Sequence, residues 1–189
     1  TNIDTRSKNL KGTVYINTNF LPAKLTTDGI IYGMRYNAYQ DEMEAKKDNK
    51  IYSVKKDFNY TITFLNDNKL YKVYNFNEEN NLKKGFFVVL FKGDKISLLS
   101  KEKIKFHEEV KPKTGYEKYQ PPRLDRIDDQ LYISYDGKTA TELSNKKKNI
   151  LNVFSDKSKR VNAYAKQNKL SFRKEVDLIK IFDYYNSLN

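Results

Sequence analysis

Apolar residues recur at every second position through the first three quarters of the chain. The clearest stretch runs from residue 29 to 46: Ile30, Tyr32, Met34 and Tyr36 fall on one side of a strand, a polar break follows, and Met43 and Ala45 resume that side while Glu42, Glu44 and Lys46 point away. This predicts a β-hairpin with one wet face. Upstream, residues 12 to 17 read as a short strand and residues 20 to 25 as another; Pro22 has no N–H to give a ladder, which places the second at a sheet edge. Downstream, residues 51 to 54, 60 to 64 and 70 to 74 read as strands separated by Asn- and Asp-rich turns. Turns roughly eight to twelve residues apart predict an antiparallel meander rather than βαβ units.

Residues 75 to 84 read as a polar loop, and 85 to 91 form the one continuous apolar run. A strand apolar on both sides is covered on both sides, so Phe86, Val88 and Leu90 on one face and Phe87, Val89 and Phe91 on the other are all expected to be buried in a central strand. Residues 92 to 95 make a tight turn into a returning strand that reaches His107. The stretch 111 to 129 holds Pro112, Pro121 and Pro122 and has no clean period, the mark of a long loop that either covers the sheet or docks a partner. Its Tyr116, Tyr119, Arg123 and Arg126 are the first candidate partner-binding residues, since aromatic and Arg side chains dominate interfaces. Around Asp136-Gly137 a last hairpin is expected, up to Leu143.

From Ser144 the period changes to about 3.6 residues. Ser144, then Ser155 or Asp156, then Ser171 are candidate N-caps for helices carrying Ile150, Leu151 and Phe154; Val161, Tyr164 and Ala165; and Leu178, Ile179, Phe182 and Tyr185. The expected fold is therefore α+β. An antiparallel curled β-sheet, a meander with barrel- or sandwich-like curvature, occupies residues 1–143, and a small C-terminal three-helix unit packed on itself occupies 144–189.

Composition narrows the chemistry. The 189 residues include 15 Tyr and 11 Phe, enough bulk for a core although only 38% of residues are hydrophobic. The absence of Cys excludes disulfides, thiolate zinc sites and cysteine nucleophiles, and a single His removes most other metal and general-base schemes. No apolar run approaches eighteen residues, so no transmembrane segment is expected, and the first residues lack the regions of a signal peptide. The net charge of +12 comes from 30 Lys and 6 Arg among 36 basic residues, beside 20 Asn, a bias that runs along the whole chain. Residues 144 to 189 hold 11 basic and 4 acidic residues, a net +7, with Lys146, Lys147 and Lys148 opening a helix whose dipole disfavours them there. These lysines are the second candidate partner-binding group. Scarce Arg and the lack of a helix-turn-helix glycine argue against a nucleic-acid interface on this basic tail, the competing assignment.

Three stretches carry a resemblance: residues 12 to 20 (GTVYINTNF), residues 35 to 44 (RYNAYQDEME) and residues 183 to 188 (DYYNSL). Through them the chain resembles a poorly characterised family of exported, periplasmic or outer-membrane-associated proteins of Bacteroidota-type bacteria. The resemblance implies export with loss of a signal peptide, residence in the periplasm or at the periplasmic face of the outer membrane, and no catalytic motif to carry over.

The remaining constellations read as ordinary surface. His107 and Glu109 share a strand face but supply two ligands where a metal site takes three or four. Asp125, Asp128 and Asp129 lack the Gly and terminal Glu of a calcium loop, and Asp41, Glu42 and Glu44 read as solvated rather than as a glycosidase pair. Gly29, Gly33, Gly85 and Gly93 lack phosphate-loop spacing. No cofactor is expected. The function that follows is that of a non-catalytic accessory subunit docking onto a larger outer-membrane or periplasmic protein complex, with nucleic-acid binding through the helical tail as the alternative and enzyme action on an envelope polymer behind both.

Overall fold

The computed structural model describes residues 9–112 and 118–189. Its ten strands are β1 (Leu21–Leu25), β2 (Ile31–Asn37), β3 (Glu42–Lys47), β4 (Lys50–Ser53), β5 (Thr61–Phe64), β6 (Leu70–Glu78), β7 (Asn81–Phe91), β8 (Ser97–His107), β9 (Arg123–Ser134) and β10 (Thr141–Glu142). They form one antiparallel sheet in the order β10-β9-β8-β7-β6-β5-β1-β2-β3-β4, which does not close. The α+β class and the antiparallel sheet followed by three helices are as the periodicity predicts. The meander is interrupted once: after β4 the chain crosses back, and β5 pairs with β1.

The expected hairpin is β2 and β3, in a register that sets Met34 opposite Ala45 and Tyr36 opposite Met43 on the buried side. Two expectations fail nearby. Residues 12 to 17 do not enter a ladder; the segment instead laces two strands with a few bonds each, Leu124 N–H to Lys11 carbonyl at 2.8 Å and Ala38 N–H to Val14 carbonyl at 2.9 Å. Gly12 lies at φ +85°, where a Cβ would come within 2.1 Å of the Leu124 carbonyl oxygen, so only glycine fits this approach. β1 is interior rather than an edge. Its Pro22 carbonyl accepts from Leu65 N–H, and since N and C=O of one strand residue point the same way, the missing N–H faces the position just past the end of β5, where the ladder has stopped.

The polar stretch 75 to 84 is also strand, not loop: Glu78 pairs with Asn81 across a two-residue turn whose Glu79 and Asn80 have φ of 52° and 63°. This ribbon projects into solvent, so no apolar period announces it. Within 111–129, β9 begins at Arg123. Its alternation is masked by a bulge: Lys101 pairs with Gln130 but Lys103 with Ile127, so Asp128 and Asp129 together oppose Glu102.

β7 is central and covered on both faces, as its continuous apolar run predicts. Phe86 and Val88 join one core with Met34, Tyr36, Ile62, Tyr71 and Val73; Phe87 and Val89 face another with Tyr74, Phe76, Leu99 and Tyr132. Phe86, Phe87 and Val88 are buried, while Val89, Leu90 and Phe91 are partly so. The first core exists because the sheet curls: Tyr36 of β2 meets Tyr71 of β6 at 5.2 Å and Phe86 of β7 at 6.2 Å between ring centroids, although β1 and β5 intervene in strand order. The second is roofed by the loop before β10, where Asn75 exchanges backbone bonds of 2.8 Å with Lys138 and Ala140.

The helices are α1 (Lys147–Val153), a single 3₁₀ turn (Ser155–Lys157), α2 (Ser158–Gln167) and α3 (Glu175–Ser187). None of the candidate caps is used; Lys146, Lys157 and Lys174 stand at the helix starts without side-chain caps. Nor does the unit pack only on itself. Ile150, Phe154, Leu178, Ile181 and Phe182 share one core with Ile96, Leu98, Ile133 and Leu143 of the sheet side. Asn186 fastens α3 to the β7–β8 turn, accepting from Lys95 N–H at 2.9 Å and Ile96 N–H at 3.2 Å and donating to the Ile96 carbonyl at 3.0 Å. Among the described residues no helix is long and apolar enough to cross a membrane.

Candidate functional site

β7 and β8 pair only from Val88 to Phe91. Below Val88 the two strands part, and the β2–β3 turn enters the gap. Asn37 shapes that turn, its side-chain oxygen accepting from Tyr39 N–H at 3.2 Å and Gln40 N–H at 3.0 Å. Asp41 closes it in the left-handed region at φ 57°, a conformation Asp tolerates. The Asp41 carboxylate thereby reaches the unpaired backbone of β7, accepting from Phe86 N–H at 3.1 Å. Lys101 from β8 does the reciprocal work: it donates to the Phe86 carbonyl at 2.9 Å and to Asp41 at 2.6 Å. Two oppositely charged side chains thus replace the missing ladder bonds, satisfying groups that would be costly to bury unpaired. Tyr36 and Lys56 complete the shell of Asp41 at 2.7 and 2.8 Å.

Lys101 is only 3% exposed, and its ammonium lies 4.7 Å from the Phe87 ring centroid and 5.0 Å from that of Phe76. Burial pushes its pKa down, and the Asp41 charge opposes that shift. Gly85 makes the room, because a Cβ there would lie 2.7 Å from the Lys101 ammonium and 2.8 Å from an Asp41 carboxylate oxygen.

The next residue along β8, Glu102, is 2% exposed on the opposite face. It accepts from Lys69 at 2.9 Å, from Arg126 at 3.0 Å and from the Tyr71 hydroxyl. Burial, reinforced by the neighbouring carboxylates, holds the Tyr36 and Tyr71 hydroxyls well above the usual tyrosine range. Their ring contact brings the two charge clusters side by side.

Over Lys101 and Asp41 opens a cleft of about 800 Å³, lined by six lysines, four carboxylates and the apolar surfaces of Tyr39, Phe106 and Ile127. Lys83 and Lys103 reach Glu78 at 3.0 and 3.3 Å. Lys84 lies over the Phe58 ring at 4.5 Å, and neither it nor Lys105 has a carboxylate partner among the described residues. Lys103 and Ile127 also border a second cleft of about 660 Å³, which contains Asp128, Asp129, Glu142 and Glu175. Burial raises the pKa of Glu175, with Asp129 adding to the shift. The second cleft in turn shares Leu131, Asn145, Arg173 and Leu178 with a third of about 740 Å³ beside α1.

The residues singled out from the sequence are dispersed. Tyr119 donates to Glu109 at 2.8 Å, Arg123 to Asp125 at 2.8 Å and Gln120 at 2.9 Å, and Arg126 divides itself between Glu102 and Asp129. Tyr116 lies outside the described residues. Lys146, Lys147 and Lys148 are exposed at the start of α1, with Lys147 5.0 Å from the Phe172 ring. No cleft among those lining the described surface joins Tyr119 or Arg123 to these lysines. Glu44 is not solvated but held by Arg35 at 2.8 Å and Tyr15 at 3.1 Å. His107 stands 3.6 Å from Asp125, and among the described residues no three His, Cys, Asp or Glu side chains converge as metal ligands.

Sequence reasoning missed Lys101 and Glu102 and read Asp41 as solvated, whereas it is held by Tyr36, Lys56, Lys101 and the Phe86 N–H. A signal was present: if β7 is covered on both faces, the strand after it is also covered over its first half, so adjacent Lys and Glu there are interior charges. Comparison of the chain with protein-family models, with curated proteins and with solved structures finds no match.

Proposed function

We propose that this protein is a non-catalytic interaction subunit that docks onto a larger protein assembly of the cell envelope, in the periplasm or at the periplasmic face of the outer membrane, through the cleft at the β7–β8 split. The observation that carries the reading is the commitment of the buried charges. A catalytic acid, base or nucleophile must exchange partners during reaction, whereas Lys101 and Asp41 complete the backbone bonding of Phe86 and Glu102 anchors three neighbouring side chains. Moving a proton at any of them would leave buried polar groups unsatisfied.

The rim of the same cleft has the composition of a docking surface: Tyr39, Phe106 and exposed Ile127 next to the ammonium groups of Lys84 and Lys105, which have no carboxylate partner among the described residues. A partner segment that alternates apolar and acidic residues complements it. The compartment rests on the family resemblance of residues 12 to 20, 35 to 44 and 183 to 188. Nucleic-acid binding by the helical tail fits less well, because a phosphate backbone leaving Lys146 and Lys147 along the clefts meets Asp128, Asp129, Glu142 and Glu175.

The test is co-purification from gently solubilised membranes with wild type and with a Lys84→Glu, Lys105→Glu, Ile127→Asp triple variant. Wild type is expected in a larger complex and the variant alone, with an unchanged melting point. A wild-type chain eluting by itself at 22.3 kDa removes the reading. Retention that weakens linearly in log salt and is lost on nuclease treatment replaces it with the nucleic-acid alternative.

A further inference from the structure

The third cleft differs from the other two in charge. Its charged lining consists of Lys146, Lys147 and Arg173, with no carboxylate, and its floor is Leu131, Leu170, Phe172 and Leu178. All three cations are exposed, and none has an ion-pair partner within reach among the described residues. Lys147 leans over the buried Phe172 ring at 5.0 Å, so its charge stands directly above the apolar floor. Three cations in the lining of one cleft that has no carboxylate set a positive potential over its apolar floor, which favours an anion with an apolar body.

From this arrangement we propose that the third cleft is a binding site for a single-headed organic anion, whose carboxylate or phosphate is held by Lys146, Lys147 and Arg173 and whose apolar body lies on Leu131, Leu170, Phe172 and Leu178. The volume, about 740 Å³, suits one such molecule. The head must be single because the adjoining cleft, entered past Arg173, carries Asp128, Asp129, Glu142 and Glu175 and repels further negative charge. The cations and the apolar floor are brought together by different elements: Leu131 by β9, Lys147 by α1, and Phe172 and Arg173 by the segment between α2 and α3. The site therefore forms only when the helical unit sits on the sheet. It is independent of the docking surface at the β7–β8 split.

Decanoate and octyl phosphate, each below its aggregation threshold, serve as probes in titration calorimetry on the full chain, with acetate and inorganic phosphate as heads without a body and octyl glucoside as a body without charge. At least one anionic amphiphile is expected to bind saturably and at least about tenfold more tightly than its bare head and than octyl glucoside, and whichever binds identifies the head. Lys147→Gln with Arg173→Gln should weaken that binding by about tenfold or more. Leu170→Ala, which keeps the charges, should weaken the amphiphile but not the bare anion. Both variants change side chains that are exposed or half-buried, so their melting curves should match that of wild type. The proposal is overturned if neither amphiphile binds, if binding is no tighter than that of the bare head or the neutral glucoside, or if it survives the double charge variant.

Discussion

Lys101 and Lys147 are the same residue type in opposite circumstances, and the contrast separates a charge built into the fold from one left facing solvent. Lys101 is nearly solvent-free, and each favourable contact it makes is to its own chain: the Asp41 carboxylate, the Phe86 carbonyl and two aromatic rings. Lys147 is exposed over an apolar floor and has no carboxylate partner among the described residues. Desolvation costs several kcal/mol per ion, so a buried charge persists only when its partners are built in. An exposed charge carries no such obligation and is free to meet a ligand. In this chain the buried clusters therefore hold the split sheet together, while the exposed lysines, Lys147 among them, keep their charge available to solvent and ligands.

The strongest way to break the comparison is to strip the buried pair. Asp41→Ala leaves Lys101, the Tyr36 hydroxyl and the Phe86 N–H without their acceptor, and it should cost about 3–5 kcal/mol in denaturant unfolding. Combining it with Lys101→Met should cost less than the sum of the two single losses, by about 1–3 kcal/mol, since each partner is harmful mainly in the absence of the other. Strict additivity would show that the two charges are not a unit.

A comparable loss, about 3–5 kcal/mol, is expected for Phe182→Ala, which empties the core that α3 shares with Ile96 and Leu98. Here the sharpening measurement is hydrogen exchange: the variant should loosen the helices and also the start of β8. Loosening of the helices alone would make them a self-contained unit.

A smaller effect concerns the loop that roofs the second core. Asp136 accepts from Lys138 N–H, Thr139 N–H and hydroxyl, and the Ser134 hydroxyl, which lower its pKa from 3.8 to about 2. Its folded pKa lies below the unfolded value, so its contribution is present above about pH 4 and is lost as pH falls through about 2. Asp136→Asn should lower stability at neutral pH and should converge with wild type towards pH 2. A constant difference across that window would contradict the assignment.

The smallest change should come from the other side of the comparison. Gln replacing Lys146, Lys147 and Lys148 together should shift stability by no more than about 0.5 kcal/mol, the range of surface substitutions. A loss above about 1 kcal/mol would mean that these lysines are structural after all.

Much of the architecture was legible in local pattern. Alternation at Met34, Tyr36, Met43 and Ala45 determined the β2–β3 hairpin and its buried side, because a strand's side chains switch faces at each residue whatever surrounds it. The unbroken run from Phe86 to Phe91 determined a doubly covered strand, and the change of period after Ser144 determined the helices. Position along the chain also determined which residues are charged, but not which charges are interior.

Tertiary structure decided the rest. The crossing that inserts β5 beside β1 made the strand that carries Pro22 an interior strand, and the bulge at Asp128 and Asp129 erased the period of β9 from the sequence. The parting of β7 and β8 turned Asp41, forty-five positions before Phe86, into the acceptor for its N–H. Burial and pairing are set by neighbours brought in from distant parts of the chain, and those neighbours are fixed by strand order and curl, which a single strand's alternation does not encode. The same holds for Lys147: packing within the helical unit places it over Phe172, and the seating of that unit on the sheet brings Leu131 of β9 into the lining it shares with Arg173.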